Sequence, residues 1–207
     1  MRQGRSGLQV RPYRADDLDA LYRVCLLTGW SGQDASAYYA DPKLVGHIHA
    51  APYGVLRPEC ALVVEDDEGV GGYIIGTADT PAFDADLEAK WWPKLRAEYP
   101  DPVGIRYRDM TPDQRLCRQI HHPQPMPAVV TDPYPAHLHI DLLPRFQGRG
   151  LGKRLIDQWR ELMRGFGARG FHLGVGAANE RAVRFYHAYG LTQLDLGPGV
   201  IVFAQAL

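Results

Sequence analysis

The chain has 207 residues, of which 45% are hydrophobic and 23% charged, and its formal net charge is -1 at pH 7. This length fits one domain with insertions or two very small ones, and the composition is near the average for globular proteins, with nothing that suggests disorder. The near-neutral charge gives no broad field for a polyanion, which argues against nucleic acid as the main partner.

The beginning of the chain does not resemble a targeting sequence. Residues 1–10 carry arginines, but no apolar stretch of signal-peptide length follows them, and no segment approaches the length needed to span a bilayer. Three cysteines, Cys25, Cys60 and Cys117, stand far apart, which favours neither a disulfide framework nor a zinc site. We therefore expect a cytoplasmic protein with reduced thiols and no membrane partner.

The first part of the chain predicts a strand followed by a helix. Apolar and polar residues alternate over residues 8–12, which is typical of a short half-buried strand. Apolar residues at helical spacing run from Leu18 to Leu26, and Gly29 is the expected end of that helix. The pattern then becomes irregular, with a short helix expected around Ala35 to Ala40 and Pro52 among the prolines that break the next segment.

Two β-prone runs follow, at residues 61–64 and 73–78. The segment between them, residues 65–69, is acidic and ends in glycine, which predicts a hairpin. From about residue 80 to residue 135 the chain is proline-rich, with one helical stretch from about Ala85 to Glu98. This segment is too short to bury a core of its own, so we expect residues 1–207 to form a single domain with an insertion at about 80–135.

The last third of the chain alternates strands and helices. An apolar strand over residues 137–143 leads into a glycine-containing turn at residues 144–150. The elements expected after that turn are a helix with one apolar face (Leu151, Leu155, Trp159, Leu162, Met163, Phe166), a strand at 171–176, a helix at 179–189, and strands at 191–196 and 200–204. This order predicts a layered α/β fold.

The turn between the strand and the long helix carries Gly148, Gly150 and Gly152, with Arg149 and Lys153 among them. Amides at the start of a helix are unpaired, and glycines let the backbone approach a pyrophosphate closely. A glycine-rich turn that only packs is an equally good interpretation of the glycines alone. The spacing fits neither the phosphate loop of nucleotide triphosphatases nor the dinucleotide fingerprint.

The pattern Gln147-x-x-Gly150-x-Gly152, with Pro144 upstream, resembles the pyrophosphate-binding motif of GNAT acetyltransferases. Residues 179–191 resemble a second motif of that family, Asn-x-x-Ala-x-x-Phe-Tyr-x-x-x-Gly-Phe, with leucine in place of the final aromatic residue. Within the superfamily, the acetyltransferase-like domain of O-GlcNAc hydrolases and its free-standing bacterial relatives are most similar. The resemblance implies a central mixed twisted sheet of about six to seven strands, flanked by helices and splayed between the fourth and fifth strands.

The resemblance also implies a function and a set of site residues. The chain is expected to transfer an acetyl group from acetyl-CoA directly to an amine of a small molecule or protein, in a ternary complex and without a metal. The alternative is a non-catalytic acetyl-CoA-binding module that acts as a sensor or scaffold. The implied acetyl-CoA-binding residues are Ile140, Leu142, Leu143, Gln147, Gly148, Arg149, Gly150, Leu151, Gly152, Lys153 and Asn179.

Two residues are the candidates for catalysis. Tyr186 matches the tyrosine that in many family members protonates the departing thiolate, although a buried helix tyrosine is the structural alternative. Asp141 is either the base that deprotonates the amine or a structural acid near the splay. His137 and His139 share a strand face with Asp141, and this triplet also opens a known metal motif, but no fourth ligand follows.

The insertion is the expected place for recognition of the acceptor, because variable loops over a rigid site usually determine specificity. Trp91, Trp92, Tyr99 and Tyr107 either wall a pocket there or bury the insertion against the main sheet. The insertion carries both signs of charge, so the charge of the acceptor does not follow from it.

Overall fold

A computed structural model describes residues 7–197 and 200–207, and seven strands in this part of the chain form one mixed sheet. The strands are β1 (Gln9–Pro12), β2 (Leu62–Asp66), β3 (Gly69–Thr77), β4 (Ala136–Leu142), β5 (Gly170–Gly176), β6 (Thr192–Leu194) and β7 (Val200–Ala206). Their order in the sheet is β1-β2-β3-β4-β5-β7-β6. The β4 and β5 pair is parallel and the other neighbours are antiparallel.

Helices cover the sheet and build the insertion. They are α1 (Leu18–Thr28), α2 (Leu44–His49), α3 (Ala51–Leu56), α4 (Thr80–Asp86), α5 (Trp92–Glu98), α6 (Pro112–His121), α7 (Ala128–Thr131), α8 (Leu151–Gly165) and α9 (Glu180–Tyr189). A π-helical turn, Leu87–Trp91, joins α4 to α5. The predicted α/β architecture is confirmed, and none of the helices in the described residues is both long and apolar enough to cross a membrane.

The position of α8 on the sheet depends on close packing at Gly76. A Cβ atom at Gly76 would lie 2.1 Å from the carbonyl oxygen of His137 and 2.7 Å from the ring of Trp159. The Trp159 indole is fully buried and donates to the carbonyl of Cys60 at 2.9 Å. This contact fixes α8 against β3, and with it the glycine-rich turn at the N-terminus of α8.

The splay predicted between the fourth and fifth strands appears in the register of β4. β4 pairs with β5 only at Ala136 and His137, while its pairing with β3 continues to Leu142. The amide of Leu143 donates to Gly71 at 2.8 Å. Because amide directions alternate along an antiparallel pair, the amides of Ile140 and Leu142 point away from β3, into the gap left by β5.

Two details of the N-terminal half differ from the predictions. Residues 35–40 form turns rather than a short helix, because the Asp34 carboxylate accepts from the amide of Ser36 at 2.8 Å and from its hydroxyl at 2.6 Å. Such local side-chain bonds compete with helix formation. Pro52 does not break the segment; it lies in the first turn of α3, where its missing amide costs nothing.

The insertion contains more helix than the sequence patterns predicted, because α6 was missed. Its start carries a capping box, in which the amide of Gln114 donates to the Thr111 hydroxyl at 3.2 Å and the Thr111 amide donates to the Gln114 side chain at 2.9 Å. That Thr-Pro-Asp-Gln pattern was a readable helix start. Buried residues of the insertion, including Phe83, Leu95 and Ile120, belong to the same apolar cluster as the residues of the sheet.

Candidate active site

A cleft of about 720 Å³ opens where β4 and β5 part. Its walls come from the end of β4, the glycine-rich turn, the starts of α8 and α9, and the loop after α1. The lining residues are Thr28, Ser31, Gly32, Gln33, Ile140, Asp141, Leu142, Phe146, Gln147, Gly148, Gly150, Leu151, Gly152, Lys153, Ala178, Asn179, Glu180, Arg181, Ala182, Phe185 and Tyr186. The fold thus gathers both sequence motifs and both candidate catalytic residues into one cleft.

The glycine-rich turn has the geometry of an anion site. Gly148 has a φ of 71° and Gly150 a φ of 73°, in the left-handed region that favours glycine. A Cβ atom at either position would have no neighbour within 4 Å, so backbone conformation rather than packing calls for glycine there. The first-turn amides of α8, from Leu151 to Lys153, have no partner inside the helix, and all three residues line the cleft.

Gln147 joins this turn to the neighbouring elements. Its amide donates to the carbonyl of Pro144 at 3.1 Å, so the amides free to meet a ligand begin at Gly148. Its side-chain amide donates to the carbonyl of Leu142 at 2.6 Å, and its side-chain oxygen accepts from Arg181. Gln147 therefore holds the end of β4, the turn and α9 together.

Cations surround the turn, though not all of the predicted ones face the cleft. Lys153 lines the cleft and forms an exposed ion pair with Asp157 at 2.6 Å. Arg149 is not a lining residue; its guanidinium donates to the carbonyl of Arg145 at 3.4 Å. Arg181 lines the cleft and was missed, although it stands inside the second motif.

Tyr186 and Asp141 lie within electrostatic reach of each other. The Tyr186 side chain is 7% exposed, its ring packs against Phe203, and burial, with the nearby Asp141 carboxylate, raises its pKa well above the ordinary value. Asp141 accepts from the Tyr73 hydroxyl at 2.7 Å. Burial raises the pKa of Asp141, so protonation of this carboxyl is easier than usual.

Two further residues that were predicted to bind acetyl-CoA, Asn179 and Leu143, have different positions in the structure. Asn179 caps α9, because its side-chain oxygen accepts from the amide of Ala182 at 3.1 Å, and it also lines the cleft. Leu143 is buried, and its amide is bonded to Gly71, so the prediction of a free amide at Leu143 is wrong. This amide is not free because the chain just after β4 is still paired with Gly71, inside β3.

The end of α1 and the loop after it contribute lining residues that no sequence pattern indicated. The cleft is lined here by Thr28, Ser31, Gly32 and Gln33. Ser31 has a φ of 51°, in the left-handed region. These residues lie more than a hundred positions before the glycine-rich turn in the chain. Only the stacking of α1 on the sheet brings them there.

A buried hydrogen-bond chain fixes the protonation of the β4 histidines. The Thr80 hydroxyl donates to the carbonyl of Pro135 at 2.7 Å, so it accepts from Nδ1 of His137 at 2.7 Å. Nε2 of His137 must then accept from the Tyr53 hydroxyl at 2.7 Å, and that oxygen accepts from Nε2 of His139 at 3.1 Å. Both imidazoles are neutral, and Nδ1 of His139 remains an acceptor.

Because these histidines are neutral in the folded chain, we expect the free energy of unfolding to decrease in acid. Burial lowers the pKa of His49 to about 4, that of His139 to about 3, and that of His137 well below its ordinary value. The unfolded chain takes up these protons below about pH 6.5 while the folded chain does not, which costs about 1.4 kcal/mol per pH unit for each histidine.

We expect the free energy of unfolding in urea to fall by roughly 4 kcal/mol from about pH 7.5 to about pH 5.5. The raised pKa of Asp84 and of Asp141 opposes this loss at the acidic end of the range. Equal stability at the two pH values would contradict neutral burial of the histidines.

The triplet His137, His139 and Asp141 is not assembled into a metal site. Among residues 7–197 and 200–207, no group of three or more histidine, cysteine, aspartate or glutamate side chains is placed to hold a metal ion. Both histidines bond to the Tyr53 hydroxyl, whereas Asp141 bonds to Tyr73, so Asp141 shares no partner with the histidines.

Some aromatic residues of the insertion attach it to the rest of the fold, and one of them lines a pocket. Trp91 donates to the carbonyl of His47 at 2.9 Å and Tyr99 to Asp41 at 2.7 Å, contacts that fasten the insertion to the main domain. Trp92 is buried and lines a second cavity. Tyr107 is 61% exposed and contributes to neither.

Comparison with known proteins gives one family match and several structural matches. The sequence model of the Acetyltransferase (GNAT) family matches residues 8–191. The crystal structure of SsHAT is 38% identical and superimposes with a TM-score of 0.89, covering 97% of this chain and 98% of that one. PaiA N-acetyltransferase from Thermoplasma acidophilum, solved in complex with coenzyme A, is 13% identical with a TM-score of 0.58, covering 97% of this chain and 99% of that one.

A weaker sequence match is to Protein O-GlcNAcase of Rattus norvegicus. It is 22% identical over 203 residues, which make up 96% of this chain and 22% of that protein. The chain thus spans about a fifth of the length of the curated relatives that it matches.

Proposed function

Since this chain belongs to the GNAT acetyltransferase family and is an acetyl-CoA-dependent acyltransferase, we propose that it transfers the acetyl group directly to an amine acceptor in a ternary complex. The observation that carries this proposal is the early end of the β4 and β5 pairing. It leaves the amides of Ile140 and Leu142 open to the cleft that also holds the glycine-rich turn, Tyr186 and Asp141.

The residues present fit acetyl-CoA. The turn from Gly148 to Lys153 offers unpaired amides, with no Cβ atom at Gly148 or Gly150 to keep a pyrophosphate away. A cleft of about 720 Å³ has the size of a site for a large cofactor. Bound there, acetyl-CoA supplies the acetyl group as an activated thioester.

The side chains and amides of the cleft divide the chemistry. Of the two free β4 amides, at Ile140 and Leu142, one donates to the thioester oxygen as negative charge develops on it, and the other is open to the pantetheine arm. Tyr186, whose raised pKa keeps it protonated, donates its proton to the departing sulfur. Asp141 accepts the proton of the attacking amine, and Tyr73 holds its carboxylate in place.

A thiol-release assay tests this proposal. Purified protein, acetyl-CoA and a panel of amines, amino sugars and peptides are expected to give acceptor-dependent thiol release, with the intersecting initial-rate lines of a ternary complex. Asp141→Asn is expected to lower kcat by about a hundredfold or more, because the isosteric amide does not take up a proton.

A different outcome would favour a non-catalytic module. If acetyl-CoA binds in a calorimetric titration while no acceptor releases thiol, the proposed transfer is contradicted. If the initial-rate lines are parallel, an acetyl-enzyme replaces the ternary complex.

We also propose that residues 1–207 form one domain that acts in the cytoplasm, without nucleic acid or membrane as a partner. The shared apolar cluster of the insertion and the sheet supports the single domain. The three cysteines are free and buried, which fits a reducing compartment.

A further inference from the structure

A second cavity, of about 660 Å³, lies between β4 and the insertion. Its walls come from α2 and α3, from α4 with the π-helical turn after it and the start of α5, and from the end of α6 with the residues after it. The lining residues are Ile48, His49, Tyr53, Asp84, Ala85, Leu87, Glu88, Trp92, Gln119, Pro123, Gln124, Pro125 and His139. In the described part of the chain this set shares no member with the cleft, and the volume is that of a small-molecule site.

His49 is a partly buried polar side chain in the wall of this cavity. Among the described residues its ring nitrogens have no hydrogen-bond partner, and its ring lies 5.8 Å from that of His139. Burial lowers its pKa to about 4, so it is neutral at physiological pH and offers one acceptor nitrogen. A ligand with a donor group can therefore make a hydrogen bond to this nitrogen when it enters the cavity.

Asp84 gives this cavity a negative charge. Its carboxyl is half-buried and forms no ion pair with any residue the structure describes, and burial raises its pKa. The other acid, Glu88, is held by Arg96 through two bonds of 2.8 Å and 2.9 Å. None of the residues named as lining the cavity is a lysine or arginine.

His139 adds to this excess of acceptors, because its Nε2 proton is donated to Tyr53 and its Nδ1 remains an acceptor. Another part of the cavity wall is apolar and is formed by the buried side chains of Trp92 and Leu87. A ligand that suits both parts has a cationic donor at one end and a small apolar body at the other.

We propose that this cavity is a binding site, separate from the acetyl-CoA cleft, for a small organic ammonium compound. The Asp84 carboxylate and the acceptor nitrogen of His49 receive the ammonium hydrogens. Trp92 and Leu87 pack against the apolar body of the ligand.

Calorimetric titration of the protein with benzylammonium, without acetyl-CoA and at neutral pH, tests the proposal. Benzylammonium is expected to bind at least about tenfold more tightly than benzyl alcohol, because only the cation makes a charge-assisted bond to Asp84. Asp84→Asn and His49→Gln are each expected to weaken benzylammonium by about tenfold. The matched control is Asp86→Asn, on the same helix, whose carboxylate pairs with Arg57 and does not line the cavity.

Three results would overturn the proposal: no binding of benzylammonium, equal binding of the alcohol, or an unchanged affinity in both cavity variants. Equal weakening by Asp86→Asn would assign the effect to overall surface charge. Because acetyl-CoA takes no part in the titration, none of these results bears on the proposed acetyl transfer.

Discussion

Tyr186→Phe is expected to lower kcat by about a hundredfold to ten-thousandfold, because general acid catalysis by a positioned side chain is typically worth that much. The substitution keeps the ring that packs against Phe203, so the melting temperature should change little. The affinity for acetyl-CoA should also be retained, because the turn at Gly148 to Lys153 supplies the phosphate contacts. The measurements are kcat on a genuine acceptor, a calorimetric Kd for acetyl-CoA, and Tm.

Tyr189→Phe is the matched control. Tyr189 lies on the same helix, but its hydroxyl donates to Asp157 at 2.7 Å and it does not line the cleft. Its loss should leave kcat near the wild-type value. A Tyr186→Phe enzyme with near-normal turnover and a lowered Tm would show that Tyr186 is a packed structural residue and no acid.

A pH profile adds an independent readout for the same pair of residues. The raised pKa of Tyr186 keeps it protonated through the neutral range, so the tyrosine itself should not limit turnover there. Protonation of Asp141, made easier by burial, should reduce turnover on the acid side. Asp141→Asn should remove that acid-side dependence along with most of the rate.

The parts of the site that could be predicted are encoded in two short contiguous segments, Ile140 to Lys153 and Asn179 to Tyr186. The end of β4, the turn and the start of α8 follow one another from Ile140 to Lys153, so their glycines and apolar spacing indicate their arrangement directly. The direction of each amide was harder to predict from the sequence, because it depends on the register between β4 and β3. That register leaves Ile140 and Leu142 free and uses Leu143.

The parts that escaped prediction depend on contacts between distant segments. Gln33 and Thr28 reach the cleft only because α1 lies across β3 and β4. His49 and Asp84 become part of one cavity wall only when the insertion folds over β4. No spacing within the sequence encodes such pairs, since each residue alone is typical of a surface helix.

Hydrogen bonds between side chains and the nearby backbone explain the two errors in the predicted secondary structure, at residues 35–40 and at α6. A propensity argument for residues 35–40 counts helix formers, whereas the Asp34 side chain offers the amide of Ser36 a bond that ends in a turn. In α6 the same kind of bond favours a helix instead of a turn, because the side chains of Thr111 and Gln114 cap the N-terminus of the helix. The deciding interaction in each case is one side-chain hydrogen bond to the backbone.

The second large effect is expected at the glycine-rich turn, from Gly150→Asn. Gly150 has a φ of 73°, which a branched residue would strain, whereas asparagine tolerates this region. Since a Cβ atom there meets nothing within 4 Å, the new side chain extends into the space where the pyrophosphate is expected. Loss of two charge-assisted bonds to amides should weaken acetyl-CoA by about a hundredfold or more in a calorimetric titration.

Gly167→Asn separates this effect from backbone strain. Gly167 has a φ of 78°, also has no atom within 4 Å of its Cβ position, and lies beyond the opposite end of α8, away from the cleft. Both variants should lose a similar, small amount of stability in thermal unfolding, because both place asparagine in the same left-handed conformation. Only Gly150→Asn should lose acetyl-CoA. If the two variants bind acetyl-CoA equally well, the pyrophosphate does not lie on the turn from Gly148 to Lys153, and the site must be sought elsewhere in the cleft.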